Sequence, residues 1–138
     1  MKAAPIILFI DDDDNDGMST YHRLAKLGFT PRFHRGPFGT LAAIRDSQCD
    51  VVLLDVNMPG LDGPALVRVI RHTYNHLPVL LYSNMEPSVL DRIGRHIGAD
   101  GAIAKDANDD EFAHELRRAL TDLDARMVAR RLDQRSSV

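Results

Sequence analysis

The chain has 138 residues, 44% of them apolar, which fits one domain with a sizeable core. Its 17 basic and 20 acidic side chains give a net charge of -3, so direct binding to nucleic acid is not expected. No apolar run approaches the ~20 residues that cross a bilayer, and the N-terminus lacks the long apolar stretch of a signal peptide. The single cysteine, Cys49, cannot form an internal disulfide. We therefore expect a soluble, cytoplasmic protein that does not bind membranes.

Five short segments along the chain have the apolar pattern of β-strands. Three are continuous apolar runs, typical of strands buried on both faces: PIILFI at 5–10, VVLL at 51–54 and PVLLY at 78–82. Weaker strands are predicted at 30–34 and 102–104. Segments with a helical spacing of apolar residues separate these strands, and a last helix is predicted to begin near Ala107.

The alternation of strands and helices predicts an α/β fold, a doubly wound (βα)5 arrangement around a five-stranded parallel sheet. The apolar stripe of the last helix reaches Met127, about two turns beyond what a small sheet requires. Residues 132–138 resemble a frayed polar tail. We therefore predict one domain over residues 1–124, followed by a helical extension and tail over 125–138.

The stretch FIDDDDNDGM at residues 9–18 concentrates carboxylates directly behind the first strand. One hypothesis is a calcium-binding EF-hand loop, for which Asp12, Asp14, Asp16 and Gly17 have suitable spacing. The closing glutamate of such a loop would fall at Arg23, and a strand rather than a helix precedes the loop. Both features argue against calcium. An ordinary acidic turn that begins a helix, capped by Asp14 or Asn15, is a further interpretation.

A second hypothesis for this stretch is a phosphatase nucleophile. Asp11 and Asp13 match the D-x-D pattern that follows the first strand in haloacid dehalogenase-like phosphatases, in which the first aspartate reacts. The next position of that pattern is Asn15 rather than threonine or valine, and the chain is short for that fold. This hypothesis remains as a remote alternative.

A third hypothesis joins the acidic stretch to residues at the ends of other strands. In open α/β sheets, ligands bind outside the carboxyl ends of the strands. Polar side chains occupy four of these predicted ends: Asp11 and Asp12, Asp55, Ser83, and Lys105. We expect them to converge on one edge of the sheet.

The segments ILFIDD, VVLLDVNMPGLDG, VLLYSN and GADGAIAKDA, in this order and at these separations, resemble the receiver domains of two-component response regulators. The resemblance covers residues 5 to about 122. It implies a flavodoxin-like sandwich and a role in phosphorelay signal transduction. It also implies a protein that is not a conventional enzyme and that catalyses only its own phosphorylation and dephosphorylation.

The resemblance further implies a role for each residue at the sheet edge. Asp55 would be the phosphoacceptor, assisted by Lys105 and Ser83. Mg²⁺ or Mn²⁺ would be held by the family's set of oxygen ligands: Asp11, Asp12, Asp55 and the backbone carbonyl of Asn57.

By the same resemblance, the phosphoryl donor would be a histidine kinase or a phosphotransfer protein. A downstream protein would bind the surface of the fourth helix, fifth strand and fifth helix, and a homodimer is a further option. Because no output domain is expected in the chain, the partner must be another protein or a second copy. The competing hypothesis is a docking module with the receiver fold that acts without phosphorylation.

Three residues depart from the pattern of the family. In the family, the residue after the lysine is commonly a proline with a cis peptide before it, and here this residue is Asp106. Without proline, a cis bond costs about 2.5 to 4 kcal/mol, so we predict a trans Lys105–Asp106 peptide. Ala102 replaces a frequent aromatic residue, and Asn84 replaces a very small one. These changes indicate a modified switch around an otherwise complete acceptor site.

Overall fold

The computed structural model describes residues 4–136, in which five strands alternate with five helices. The elements are β1 Ile6–Asp11, α1 Asp14–Lys26, β2 Thr30–Arg35, α2 Thr40–Ser47, β3 Val51–Asp55, α3 Gly63–Thr73, β4 Val79–Ser83, α4 Pro87–Ile97, β5 Gly101–Ala104 and α5 Asp109–Ser136. In this part of the chain, no helix is both long enough and apolar enough to cross a membrane.

The strands form one parallel sheet in the order β2-β1-β3-β4-β5. The chain runs outward from β1 to β2 and then returns to place β3 on the other side of β1. The strand order therefore reverses between β1 and β3, where a doubly wound sheet opens a crevice for ligands. The predicted (βα)5 fold is confirmed.

Alternating residues of the strands build a core on each face of the sheet, because successive side chains of a strand point to opposite faces. Ile7 and Phe9 of β1 pack with residues of α1 and α5, including Leu24 and Phe112. The opposite face packs against α2, α3 and α4, and its core includes Leu8, Ile10, Ile44, Ile70 and Leu90. Helices on both faces explain why β1, β3 and β4 are almost continuously apolar.

Helix α1 begins one or two residues earlier than expected. Its N-cap is Asp13, whose carboxylate accepts hydrogen bonds from the backbone N–H groups of Asn15 and Asp16. The prediction of Asp14 or Asn15 as the cap was therefore wrong. The polar stretch offers several suitable residues in succession, and cap preference does not choose among them.

Helix α5 begins at Asp109 rather than near Ala107 and runs without interruption to Ser136. Asn108 precedes it, and its side-chain oxygen accepts a hydrogen bond from the Glu111 N–H at 2.8 Å. The predicted frayed tail is wrong for residues 132–136, since this stretch contains no glycine or proline and continues the helix. Residues 137–138 lie outside the described part. The division at residue 124 remains a prediction.

Candidate functional site

The five residues predicted to converge do meet at the carboxyl edge of the sheet. Asp11, Asp55 and Ser83 are the last residues of β1, β3 and β4, and Asp12 and Lys105 directly follow β1 and β5. One ligand atom from each of Asp11, Asp12 and Asp55 can be chosen so that all three lie within 4.8 Å of one another. Asp11 and Asp55 are buried and Asp12 is half-buried, so the cluster opens to solvent on the Asp12 side.

Lys105 supplies the positive charge next to these carboxylates. Its Nζ lies 3.1 Å from Oδ2 of Asp11 and 3.3 Å from Oδ2 of Asp55. It also lies 3.3 Å from Oδ2 of Asp16, in the first turn of α1. The sequence pattern had placed Asp16 only in the EF-hand hypothesis, and its contact with Lys105 follows from how α1 packs against the sheet edge.

The buried charges perturb each other's protonation. The pKa of Asp55 is raised, mainly because the residue is buried. The neighbouring carboxylate of Asp11 raises it further, whereas the Asn57 N–H and Lys105 lower it by favouring the charged form. Burial alone would lower the pKa of Lys105, but hydrogen bonds and attraction from Asp11 and Asp55 outweigh it, so the pKa of Lys105 is raised. Lys105 is therefore charged at neutral pH and balances part of the carboxylate charge.

Asn57 takes part through its side chain as well as its backbone. Its backbone N–H donates to Oδ1 of Asp55 at 2.9 Å, and its Nδ2 donates to Oγ of Ser83 at 2.9 Å. Ser83 is fully buried and also accepts from the Met85 N–H at 3.3 Å. Because both contacts use the oxygen of Ser83, its hydroxyl proton remains available to an acceptor. This side-chain role of Asn57 was not predicted from the sequence.

The donor set of the cluster suits a hard divalent cation. Carboxylate oxygens are the ligands that Mg²⁺ prefers, and the mutual distance of the three groups allows one ion to contact them all. Asp14 and Asp16, which an EF-hand loop would need, are not part of this cluster: Asp14 lies 3.6 Å from Arg35, and Asp16 pairs with Lys105. The arrangement thus gives the calcium-loop hypothesis no support.

The peptide after Lys105 is trans, as predicted, because Gly36–Pro37 is the one cis peptide within residues 4–136. The backbone N–H of Lys105 donates to the carbonyl of Ser83 at 2.8 Å, which extends the pairing of β5 with β4 by one step. Asn84 lines a small cavity of about 210 Å³ beside Lys105 and Tyr82.

Comparison with known proteins identifies the family. A family model for the response regulator receiver domain matches residues 7–117. Among curated proteins, the chain is 35% identical over 99 residues to the transcriptional regulatory protein CseB of Streptomyces avermitilis, covering 72% of this chain and 42% of CseB. It is 31% identical over 119 residues to the C4-dicarboxylate transport transcriptional regulatory protein DctD of Rhizobium meliloti, covering 86% of this chain and 26% of DctD. The chain thus spans less than half the length of these relatives.

Solved structures agree with this assignment. The chemotaxis protein CheY4 of Vibrio cholerae superposes with a TM-score of 0.74 at 26% identity, covering 86% of this chain and 100% of CheY4. NtrX of Brucella abortus, in complex with ADP, superposes with a TM-score of 0.81 at 26% identity, covering 98% of this chain and 30% of NtrX.

The family match favours neither the phosphatase hypothesis nor the hypothesis of a receiver fold that acts without phosphorylation. The fold, the residues at the sheet edge and the family match agree, and the chain belongs to the response regulator receiver domains of two-component signal transduction.

Proposed function

We propose that Asp55 is the residue that accepts a phosphoryl group, in a reaction that requires Mg²⁺ or Mn²⁺. The observation that carries this proposal is the position of Asp55, buried beside Asp11 and Asp12 with the Nζ of Lys105 at 3.3 Å. A carboxylate is a competent nucleophile toward phosphorus, and the negative charge of the transferring group needs nearby cations.

The metal would be held by Asp11, Asp12 and Asp55, with the backbone carbonyl of Asn57 as a further ligand. When bound, it would neutralise the carboxylates and the incoming phosphoryl oxygens. Lys105 contributes a second, fixed positive charge from the protein itself, and the Asn57 N–H orients the Asp55 carboxylate through Oδ1.

The transfer forms one bond and breaks one. An Asp55 carboxylate oxygen forms a new bond to phosphorus while the P–N bond of a donor phosphohistidine breaks, and the imidazole leaves with the electron pair of that bond. With acetyl phosphate as the donor, the P–O bond to acetate breaks instead. The protein catalyses this step and the later hydrolysis of its own aspartyl phosphate, and we propose no other substrate.

The phosphoryl group on Asp55 would then engage the free hydroxyl proton of Ser83. The Ser83 hydroxyl can donate to a phosphoryl oxygen, which would draw the end of β4 toward the site and bias an equilibrium between two conformations. We place the response to this change on the α4-β5-α5 surface. A groove of about 610 Å³ already lies there, and its lining includes Asp91 of α4, Ala102 of β5 and Glu111 of α5.

We propose one partner for the Asp55 edge of the sheet and another for the α4-β5-α5 surface. A histidine kinase or phosphotransfer protein would deliver the group at the Asp55 edge, and a downstream protein would bind the α4-β5-α5 surface. A homodimer through this surface is an alternative arrangement. A cytoplasmic location fits the lone cysteine and these phosphotransfer partners.

Acetyl phosphate provides a direct test of the phosphoacceptor. Purified protein is incubated with Mg²⁺ and acetyl phosphate, and its intact mass is followed over time. We expect the gain of one hydroxylamine-labile phosphoryl group that needs Mg²⁺ and is lost in Asp55→Asn. Asp13→Asn is the matched control, because this carboxylate lies in the same acidic stretch and outside the metal cluster.

Two results would contradict the proposal. No mass gain in the wild type would favour a docking module that acts without phosphorylation. Loss of the covalent product in Asp11→Asn, together with its retention in Asp55→Asn, would point instead to the phosphatase chemistry of the alternative hypothesis.

A further inference from the structure

The side chain of Arg23 spans the space between α1 and the loop that joins β5 to α5. Its Nη1 donates to the carbonyl of Lys105 at 3.3 Å, and its Nη2 donates to the carbonyl of Ala107. Its Nε donates to Oδ1 of Asp109, the first residue of α5, at 2.8 Å. One guanidinium thus bonds the beginning, the middle and the end of this loop.

Aromatic residues of β4 and α5 also contact the guanidinium. Nη1 also lies 3.2 Å from the hydroxyl of Tyr82 in β4, and the central guanidinium carbon lies 4.2 Å from the centre of the Phe112 ring. Only a planar group with several fixed donors can make these contacts together, so lysine cannot replace arginine here. Only 18% of the Arg23 side chain is exposed, so Arg23 connects structural elements inside the protein and is not a surface cation.

The loop has few bonds of its own. Within it, the Ala107 N–H donates to the carbonyl of Ala104 at 3.0 Å, while the carbonyls of Lys105 and Ala107 point to Arg23. Asp106 occupies the position where proline would limit the backbone, and its peptide is trans. The shape of the loop therefore depends on an external partner, and Arg23 is the side chain that bonds both carbonyls.

We propose that Arg23 is the positioning residue for Lys105, holding the β5–α5 loop so that Nζ of Lys105 lies between Asp11 and Asp55. This inference rests on the proposed function of Asp55. The N–H of Lys105 is bonded to the Ser83 carbonyl, whereas its own carbonyl is bonded by Arg23, so loss of Arg23 frees the Lys105 backbone on its carbonyl side. Arg23 touches neither Asp11 nor Asp55, and it acts on the reaction only through the loop.

The test compares phosphorylation rates with acetyl phosphate at saturating Mg²⁺. Arg23→Gln lowers the rate about tenfold, as expected when a reacting group is misplaced by a fraction of a bond length or more. In a separate Mg²⁺ titration, the concentration at half-maximal rate does not rise above that of the wild type, because no proposed metal ligand contacts Arg23 and the displaced Lys105 no longer competes with Mg²⁺ for Asp11 and Asp55. Arg23→Lys restores the charge opposite Asp109 but not the two carbonyl bonds, and it is expected to be nearly as slow.

Lys26→Gln is the matched control. Lys26 lies one turn after Arg23 on α1 and also pairs with Asp109, at 3.2 Å, without contacting a loop carbonyl. The phosphorylation rate of Lys26→Gln should equal that of the wild type. An equal slowing in Lys26→Gln and Arg23→Gln would mean that the Asp109 ion pair matters and the loop bonds do not, and the proposal would fail.

A double-mutant cycle separates positioning from general stabilisation. If Arg23 acts through Lys105, adding Arg23→Gln to Lys105→Met changes the slow residual rate by less than about twofold. A purely structural role would slow both backgrounds by the same factor, in proportion to the folded fraction given by melting curves. Phosphorylation of Arg23→Gln and Arg23→Lys at the wild-type rate would overturn the inference and leave Asp55 as the acceptor, whereas an unreactive wild type would overturn the proposed function.

Discussion

The side-chain amide of Asn57 donates a hydrogen bond from Nδ2 to Oγ of Ser83 at 2.9 Å, which joins the loop after β3 to the end of β4. Ser83 is fully buried, so its hydroxyl has no alternative partner in solvent. The protein therefore holds Ser83 through Asn57 before any phosphoryl group is present.

Asn57→Ala removes this bond and is expected to lower the free energy of unfolding by about 1 kcal/mol. Urea denaturation followed by circular dichroism measures the change, because the protein contains no tryptophan for fluorescence. Asn15→Ala is the control, since this asparagine is exposed near the start of α1. An unfolding free energy equal to that of the wild type would mean that the Asn57–Ser83 bond is not formed in solution.

Lys105→Met leaves the buried carboxylates of Asp11 and Asp55 without their cation. We expect the free energy of unfolding to fall by about 3 to 5 kcal/mol without Mg²⁺, because a buried charge that loses its partner is strongly destabilising. Mg²⁺ at millimolar concentration should restore much of this loss by binding the folded site alone. Lys26→Met, a change at an exposed lysine, serves as the control. Equal losses with and without Mg²⁺ would contradict this expectation.

Asp12→Asn is predicted to raise stability in the absence of metal and to lower it, relative to the wild type, in the presence of Mg²⁺. Without metal, the substitution removes one of three clustered negative charges and should raise the melting temperature. With Mg²⁺, the wild type should melt at a higher temperature than without it, and the variant should gain much less. Thermal denaturation followed by circular dichroism gives both values. Asp14→Asn, which lies outside the cluster, should show the wild-type response.

Parallel strand ends explain why most of the site could be predicted. Asp11, Asp55 and Ser83 end neighbouring strands, and the strand pattern alone brings such residues to one edge. Arg23 and Asp16 could not be found in this way, because the apolar residues of α1 do not mark its buried face. Met18 and Tyr21 are exposed, and the buried residues are Gly17, Thr20 and Leu24. The contacts of Arg23 with the β5–α5 loop and of Asp16 with Lys105 depend on how α1 is rotated against the sheet.

The errors in element ends have a similar cause. Several adjacent residues could cap α1, and only the path of the chain after β1 selects Asp13. The polar composition of residues 132–136 suggested a tail, but polar residues also continue an exposed helix when glycine and proline are absent.

Asp13→Ala tests the observed cap. The carboxylate of Asp13 accepts from the N–H groups of Asn15 at 2.8 Å and Asp16 at 3.1 Å, so its loss should lower the free energy of unfolding by about 1 kcal/mol. Asp14→Ala breaks only an exposed pair with Arg35 and should cost less than about 0.5 kcal/mol. Urea denaturation of both variants checks the order. A larger loss for Asp14→Ala would place the cap at Asp14.

Cys49 gives the fold a dependence on alkaline pH. It packs against the core between α2 and β3, and burial raises the pKa of its thiol from 9.0 to about 11. The unfolded chain therefore loses this proton more readily than the folded protein does. The contribution of the protonated Cys49 thiol to stability is complete below pH 9 and is lost as the pH rises toward 11.

The expected size of this effect is about 2 kcal/mol between pH 9 and 11. It is measured as the difference in unfolding free energy between the wild type and Cys49→Ala, because the two proteins differ only at this residue. The wild type should lose stability relative to Cys49→Ala across this range. A constant difference from pH 9 to 11 would show that the thiol ionises as easily in the folded protein as in the unfolded chain. In that case, Cys49 would be accessible to water.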